Sequence, residues 1–407
     1  MKIPLRLICQ IKFFVFLAIV SSLAIAQESE QIPLLIHAAR VFDGNSIRTN
    51  TSVLVTGGIV TRIDTREAFK SSDAKVIDLG DATLLPGFIE LHAHLGYQHI
   101  PVDTVLKHGI TTLRDVGGPL HQPYGGDGSL RVMTSGPIIT AVDGYPIPGM
   151  GAENIAIAVS SEQQARETVR TLIDGGAAVI KIALEPGGEV GAPWASGHHH
   201  HQSEAEHQSH QHKTVPIKKT WPLLSEAIVR AIVDEAHKQS RKVTAHLGEA
   251  TGAKIAVAAG VDEWTHMPCD LIPEVLLKRA VEKNVKIVTT LDTLSKCSGI
   301  AQNTHIWSKL GGDVLYGAEI AHPDIPWGID AHELMAMLHM ANMQAIDVLR
   351  SATSKSGQYL NIPLLGTLQS GAPADMIAVK GDPTQAFKML EYPDLVMSGG
   401  KVVVNNF

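Results

Sequence analysis

Between residues 83 and 360 the chain alternates short apolar runs with longer stretches of helical spacing. The runs TTLRDVG, PIITAV, AAVIKIAL, KVTAHL, VDEWTH, KIVTTLD and DVLYGAE have the length of buried strands. Between them, SEAIVRAIVDEAHKQ places Ile228, Val229, Ile232, Val233 and Ala236 on one face of an amphipathic helix, with Ser225 set as its N-cap. Strand alternating with helix predicts an α/β fold with a parallel sheet. Repetition of the unit about eight times predicts a closed TIM barrel, whose active site gathers at the C-terminal ends of the strands.

The period changes at both ends of the chain. LLIHAARVFDG, SVLVTGGIVTRID and AKVIDLG alternate apolar and polar positions between Gly and Asp breaks, and ADMIAVKGDP and LVMSGGKVVVNN repeat that texture. They predict a small β-sandwich domain built from residues 27–82 and 361–407, with the barrel, residues 83–360, inserted between its halves. Residues 186–220 interrupt the barrel pattern. Gly and Pro open this insertion, HHHHQSEAEHQSHQH follows, and its low complexity predicts a mobile loop.

Residues 1–26 stand apart. Lys2, Arg6 and Lys12 precede the apolar FFVFLAIV, and Ala24-Ile25-Ala26 forms a small-x-small site before Gln27. This is the pattern of a secretory signal peptide, and the apolar stretch is too short for a spanning anchor. The segment holds three positive charges and no acid, so its removal takes the net charge from −7 to −10. A mildly acidic chain points away from nucleic acid and from anionic membrane surfaces. Cleavage leaves no stable membrane anchor, and export makes the chain secreted and periplasmic. Cys269 and Cys297 each follow a predicted strand. An oxidising compartment permits a disulfide between them, but separate buried thiols fit the sequence as well.

Several metal-ligating residue types sit one by one at the ends of the apolar runs. His92 and His94, two apart on a strand, point to one face, as two ligands of a single ion require. Lys181 is flanked by apolar residues on both sides. A buried ammonium without a partner loses its proton readily, and a neutral amine can capture carbon dioxide as a carbamate. Taken alone, Lys181 reads better as an ordinary lysine paired with a carboxylate at the strand end. His246 and His266 each end a run, and it is their number and order, rather than either residue, that suggests ligation.

These segments resemble those of the amidohydrolase superfamily, in the branch of imidazolonepropionase-like and Xaa-Pro dipeptidase-like enzymes. LLPGFIELHAHL, GITTLRDVGG, AAVIKIALEPGG, VTAHLGE, VDEWTHMP and LLGTLQSGAPADMIAVKGDP carry the resemblance across nearly all of the chain after the signal segment, except the histidine-rich insertion. It implies a distorted (β/α)8 barrel with two divalent ions. His92 and His94 would hold one and His246 and His266 the other. Carboxylated Lys181 (N6-carboxylysine) would bridge them, and a hydroxide between the metals would attack a carbonyl. Zinc suits this ligand set, although manganese, cobalt and nickel accept similar ligands.

The chain departs from the family at the eighth strand. LYGAEIAH places Glu319 where the resemblance implies an aspartate that touches the first metal and accepts the proton of the attacking water. Glutamate is one methylene longer and can still ligate if the backbone or rotamer gives way. Tyr97, Arg114 and Tyr145 are candidate substrate contacts on predicted mouth loops, with Asp115 as a partner that positions Arg114. A structural pair and packing tyrosines are the alternative. His198, His199, His200, His201, His207, His210 and His212 form an accessory set for metal capture, or else a solvated loop.

The reading is a secreted binuclear metal-dependent hydrolase. It cleaves a C–N bond in a small-molecule or short-peptide amide, a class that includes peptide-like, N-acyl and cyclic amides. A homo-oligomer is compatible with it. The rival is a weak or inactive metal-binding or metal-buffering protein on the same scaffold.

Overall fold

Alternation of inward and outward residues builds the terminal sheet. In the computed structural model, β1 (Leu34–Phe42), β2 (Ile47–Thr56), β3 (Ile59–Thr65), β4 (Lys75–Asp78) and β5 (Ala82–Pro86) come from the start of the chain. Residues 32–70, 73–187, 189, 191–192, 220–320, 322 and 324–407 are described, without the side chain of Tyr97. The signal segment 1–26 and the run from His198 to His212 therefore lie outside the described residues.

The central strands are β6 (Phe88–Ala93), β7 (Ile110–Asp115), β8 (Arg131–Thr134), β9 (Ile138–Ala141), β10 (Ala156–Val159), β11 (Ile180–Ala183), β12 (Val243–His246), β13 (Glu263–Thr265), β14 (Lys286–Val288) and β15 (Val314–Leu315). The end of the chain adds β16 (Met376–Lys380), β17 (Leu395–Ser398) and β18 (Lys401–Asn405). The two chain ends join into one eight-stranded sheet of order β18-β17-β16-β5-β1-β2-β3, with β4 on β1. The sequence predicted a sandwich; the eight strands are linked by hydrogen bonds into one sheet, in which β5 pairs with β16 on one side and β1 on the other.

Its two faces follow the period of two. Val41, Leu84, Met376, Ala378, Leu395 and Met397 pack in the sheet's own core. Their neighbours Phe42, Leu85, Ile377, Val379 and Val396 point the other way, into the main core. Residues 32–407 accordingly form one compact unit rather than two separable ones.

The central strands are parallel. One sheet runs β10-β9-β11-β12-β13-β14-β15 and another β6-β7-β8. A parallel bridge between Ala93 and Ile320 joins the end of β6 to the segment after β15. The helix Glu226–Lys238 buries Val229, Ile232, Val233 and Ala236 as its periodicity predicts, and Ser225 Oγ caps it by accepting the N–H of Ile228 at 3.3 Å. No helix among the described residues is long and apolar enough to cross a membrane.

Strand register decides which side chains meet. Lys181 pairs with Thr244, and Thr244 with Glu263, so these three lie side by side on one face. One step further along, Ala183 pairs with His246 and His246 with Thr265. His246 thus stands a layer above Lys181, toward the strand ends.

Candidate metal centre

Three strand ends converge on Glu319. Its Oε1 lies 3.6 Å from Nε2 of His92 and 3.6 Å from Nε2 of His94. Its Oε2 lies 3.6 Å from Nδ1 of His266. The two imidazoles of β6 approach to 3.2 Å through their Nε2 atoms, and Nε2 of His266 lies 2.9 Å from Nδ1 of His246. Residues separated by more than two hundred positions thus share one buried cluster, with Glu319 2% exposed and Lys181 1% exposed. One donor atom each from His92, His266 and Glu319 falls within a 4.8 Å span, a geometry able to hold a cation.

The backbone is bent to achieve this. Glu319 has φ 63° and His266 φ 113°, both in the region that side-chain-bearing residues seldom adopt. Gly317 is required nearby, because a Cβ there would stand 2.3 Å from Val288 Cγ1 and 3.2 Å from His92 Cβ.

The electrostatics suit ligation. Burial drives His94 and His246 down to about 4 and pushes His92 and His266 well below the usual imidazole range, which leaves neutral rings with lone pairs to offer. Burial alone would raise the Glu319 carboxyl, but His266, His322 and His92 around it hold it well below the normal value. Lys181 falls to about 7 through burial, against the pull of Glu319 and Glu263. Its Nζ is buried with no hydrogen-bond partner, as are Nδ1 of His92 and Oε2 of Glu319. Buried polar atoms are seldom left unsatisfied unless something else completes them. Neutral imidazoles, a charged carboxylate and a buried amine together suit a metal site.

The Lys181 amine is unpartnered because of its neighbours. Glu263, two strands away at the same level, is already engaged. Arg114 Nη2 lies 2.6 Å from Glu263 Oε1 and Nη1 3.1 Å from Oε2, while Nε donates to the Leu91 carbonyl at 2.8 Å. This corrects two expectations. Arg114 is buried in the strand interior rather than set at the mouth, because its charge needs the equally buried Glu263. Asp115 does not position it; its Oδ2 accepts the Gly96 N–H at 3.0 Å.

Tyr145 reaches the cluster, its ring stacked on His246 at 4.4 Å, and the Trp221 ring lies 5.4 Å from it. Tyr97 lies in the short helix Leu95–Gln98, with its side chain outside the described set.

Some residues at the site were missed from the sequence. His322 Nε2 lies 3.2 Å from Glu319 Oε1, and Thr290 Oγ1 lies 2.9 Å from His266 Nδ1. Glu189 Oε2 lies 3.7 Å from His246 Nε2, in a buried group with Glu185. Burial and the charge of Glu189 push Glu185 up to about 8. The available signals were position alone: Glu185 four residues after Lys181, and His322 three after Glu319.

A sequence model of the amidohydrolase family matches residues 83–403. The ochratoxinase of Aspergillus niger is 25% identical over 350 residues, which covers 73% of this chain and 66% of that protein. The chain thus spans slightly under two thirds of that relative's length. The crystal structure of A. niger ochratoxinase superposes with a TM-score of 0.71 at 20% identity, covering 92% of this chain and 96% of that one. A Xaa-Pro dipeptidase with methionine bound in its active site gives a TM-score of 0.70 at 22% identity, covering 91% and 99%.

Proposed function

This chain belongs to the amidohydrolase family, and from that premise we propose that it is a binuclear metal-dependent hydrolase of C–N bonds in amides. The parallel strands, linked by the Ala93–Ile320 bridge, correspond in this reading to a distorted (β/α)8 barrel. The observation that carries the proposal is the meeting of three imidazoles with the Glu319 carboxylate, a fourth imidazole on His266, and a buried Lys181 amine that feels the Glu319 charge and makes no hydrogen bond.

His92 and His94 with Glu319 would hold one divalent ion, and His246 and His266 the other. Zinc is the favoured identity by ligand type. The neutral Lys181 nitrogen could bond to carbon dioxide and release a proton, and the resulting carbamate would offer oxygen donors to bound metal. When bound, such a pair of ions polarises a carbonyl and makes water a nucleophile near neutral pH.

The rest falls to the protein. Glu319, kept ionised by the neighbouring His322, whose own proton affinity Glu319 raises, takes the proton of the attacking water and returns it to the leaving nitrogen. His322 steadies Oε1 of Glu319 from the solvent side. Tyr145, whose phenol is held protonated by burial, offers an O–H donor beside His246. The ring pair of Tyr145 and Trp221 forms an apolar wall for a substrate side chain.

The substrate class is a peptide-like, N-acyl or cyclic amide, and the name of the Xaa-Pro dipeptidase neighbour favours a dipeptide among these. The place of work is an oxidising compartment outside the cytoplasm, a choice supported by the signal-like residues 1–26 and the Cys269–Cys297 disulfide. The test is metal content per chain, followed by turnover of Xaa-Pro dipeptides, other dipeptides, N-acyl amino acids and lactams. Two tightly held ions with turnover support the hydrolase. Metal held by residues 198–212 with no turnover supports the buffering rival instead.

A further inference from the structure

A second cluster of donors lies apart from the metal centre. Asp292 follows β14, Asp330 precedes the helix Ala331–Met340, and His332 is in that helix's first turn. One donor atom from each falls within a 4.8 Å span, and His332 Nδ1 lies 3.9 Å from Asp292 Oδ2. We propose that Asp292, Asp330 and His332 form a separate site for a first-row divalent cation.

Asp330 supplies the second, independent observation. It is 0% exposed, and its Oδ1 caps the helix by accepting the His332 N–H at 2.9 Å. Its other oxygen, Oδ2, is buried with no hydrogen bond at all. The Glu333 N–H also favours the ionised carboxylate, but Oδ2 itself makes no hydrogen bond. Water does not reach this oxygen, and a bare buried carboxylate oxygen is costly. Asp292 adds a second carboxylate close by, and neither acid has an Arg or Lys ion pair among the described residues.

The two carboxylates are held in place. Asp292 donates its N–H to Glu333 Oε2 at 2.8 Å, and Asp330 donates its N–H to the Tyr316 hydroxyl at 2.9 Å. The helix N-terminus works against a cation. Two formal negative charges against the helix's half charge nonetheless leave the site favourable to one. Two oxygens and one imidazole nitrogen, open to water on the His332 side, suit Zn²⁺ best and Mn²⁺ less well. Mg²⁺ favours sites made of oxygen alone.

A bound ion would tie the segment after β14, which carries Thr290, to the helix that follows Glu319. It would therefore brace two segments that support the metal centre. The site does not depend on the proposed hydrolase activity.

The experiment uses the full chain, stripped with chelator and equilibrated against buffered free Zn²⁺, with bound metal counted per chain. The parent is compared with Asp292→Asn, Asp330→Asn and His332→Gln. Asn retains the capping oxygen at 330, and His332 is exposed, so all three should melt like the parent in chelator. Metal on the histidine-rich insertion is common to every variant and cancels in the difference. The expected result is one Zn²⁺ fewer per chain in each variant, loss of one zinc-dependent step in melting temperature, and unchanged turnover at a saturated metal centre. A His246→Ala chain should keep the step that His332→Gln loses, which separates this site from the hydrolytic one. Equal zinc binding by the parent and His332→Gln at every free zinc concentration overturns the proposal.

Discussion

Nε2 of His322 lies 3.2 Å from Oε1 of Glu319, the oxygen that also faces His92 and His94. A carboxylate one methylene longer than aspartate is thereby gripped from both sides. With its backbone at φ 63°, Glu319 is positioned rather than merely tolerated. Glu319→Gln and Glu319→Ala should each lose about 10²- to 10⁴-fold in kcat, the usual worth of a general base. Glu319→Asp should fall between these and the parent, because the shorter arm withdraws from His322. Undiminished turnover in both Gln and Ala variants would remove Glu319 from the chemistry.

Lys181 has a buried amine at about 7 and no hydrogen-bond partner. Its neutral fraction grows as pH rises through that value. Uptake of isotopically labelled bicarbonate by the metal-free chain should therefore increase from below pH 7 to above it, read as a carbamate carbon signal by NMR. Lys181→Met should abolish the signal and reduce metal content. A signal that persists in Lys181→Met would place the carbamate elsewhere.

Arg114 and Glu263 form a buried bidentate pair with side chains 2% and 0% exposed. Arg114→Met alone leaves Glu263 uncompensated and should cost about 3–5 kcal/mol in unfolding free energy. The double variant Arg114→Met with Glu263→Leu should regain much of the stability. Denaturant melts of the single and double variants check the prediction; equal losses in both would show that the pair itself stabilises the fold.

Cys269 and Cys297 are joined across 28 positions, with their Cα atoms 5.0 Å apart. The bridge links the segments after β13 and β14, which carry His266 and Thr290. Replacing both cysteines with serine should lower stability by about 3 kcal/mol through the freed unfolded chain. A thiol assay on the unfolded, unreduced protein should find neither cysteine free. Detection of both would refute the bridge.

Much of the core was legible in the pattern of the chain. Ile232 and Val233 are buried where the helical spacing puts them, and the alternation of Met376, Ile377, Ala378 and Val379 separates two faces of one sheet. The candidate ligands were legible too, because imidazoles and an amine at the ends of apolar runs are conspicuous. Arg114 was misread for the converse reason. A charge after an apolar run looks the same whether it ends at a mouth or meets a buried partner 149 residues away.

The sequence by itself determined the alternating strand-and-helix order, the extended ends and the residue types available for ligation, since each is a local property of spacing and composition. Tertiary structure alone decided that Glu263 belongs to Arg114 and not to Lys181, that His322 meets Glu319, and that Asp292 lies beside Asp330. Those outcomes depend on strand register and on competition between charges in a dry interior. Both are set by contacts between distant segments, to which no local pattern is sensitive.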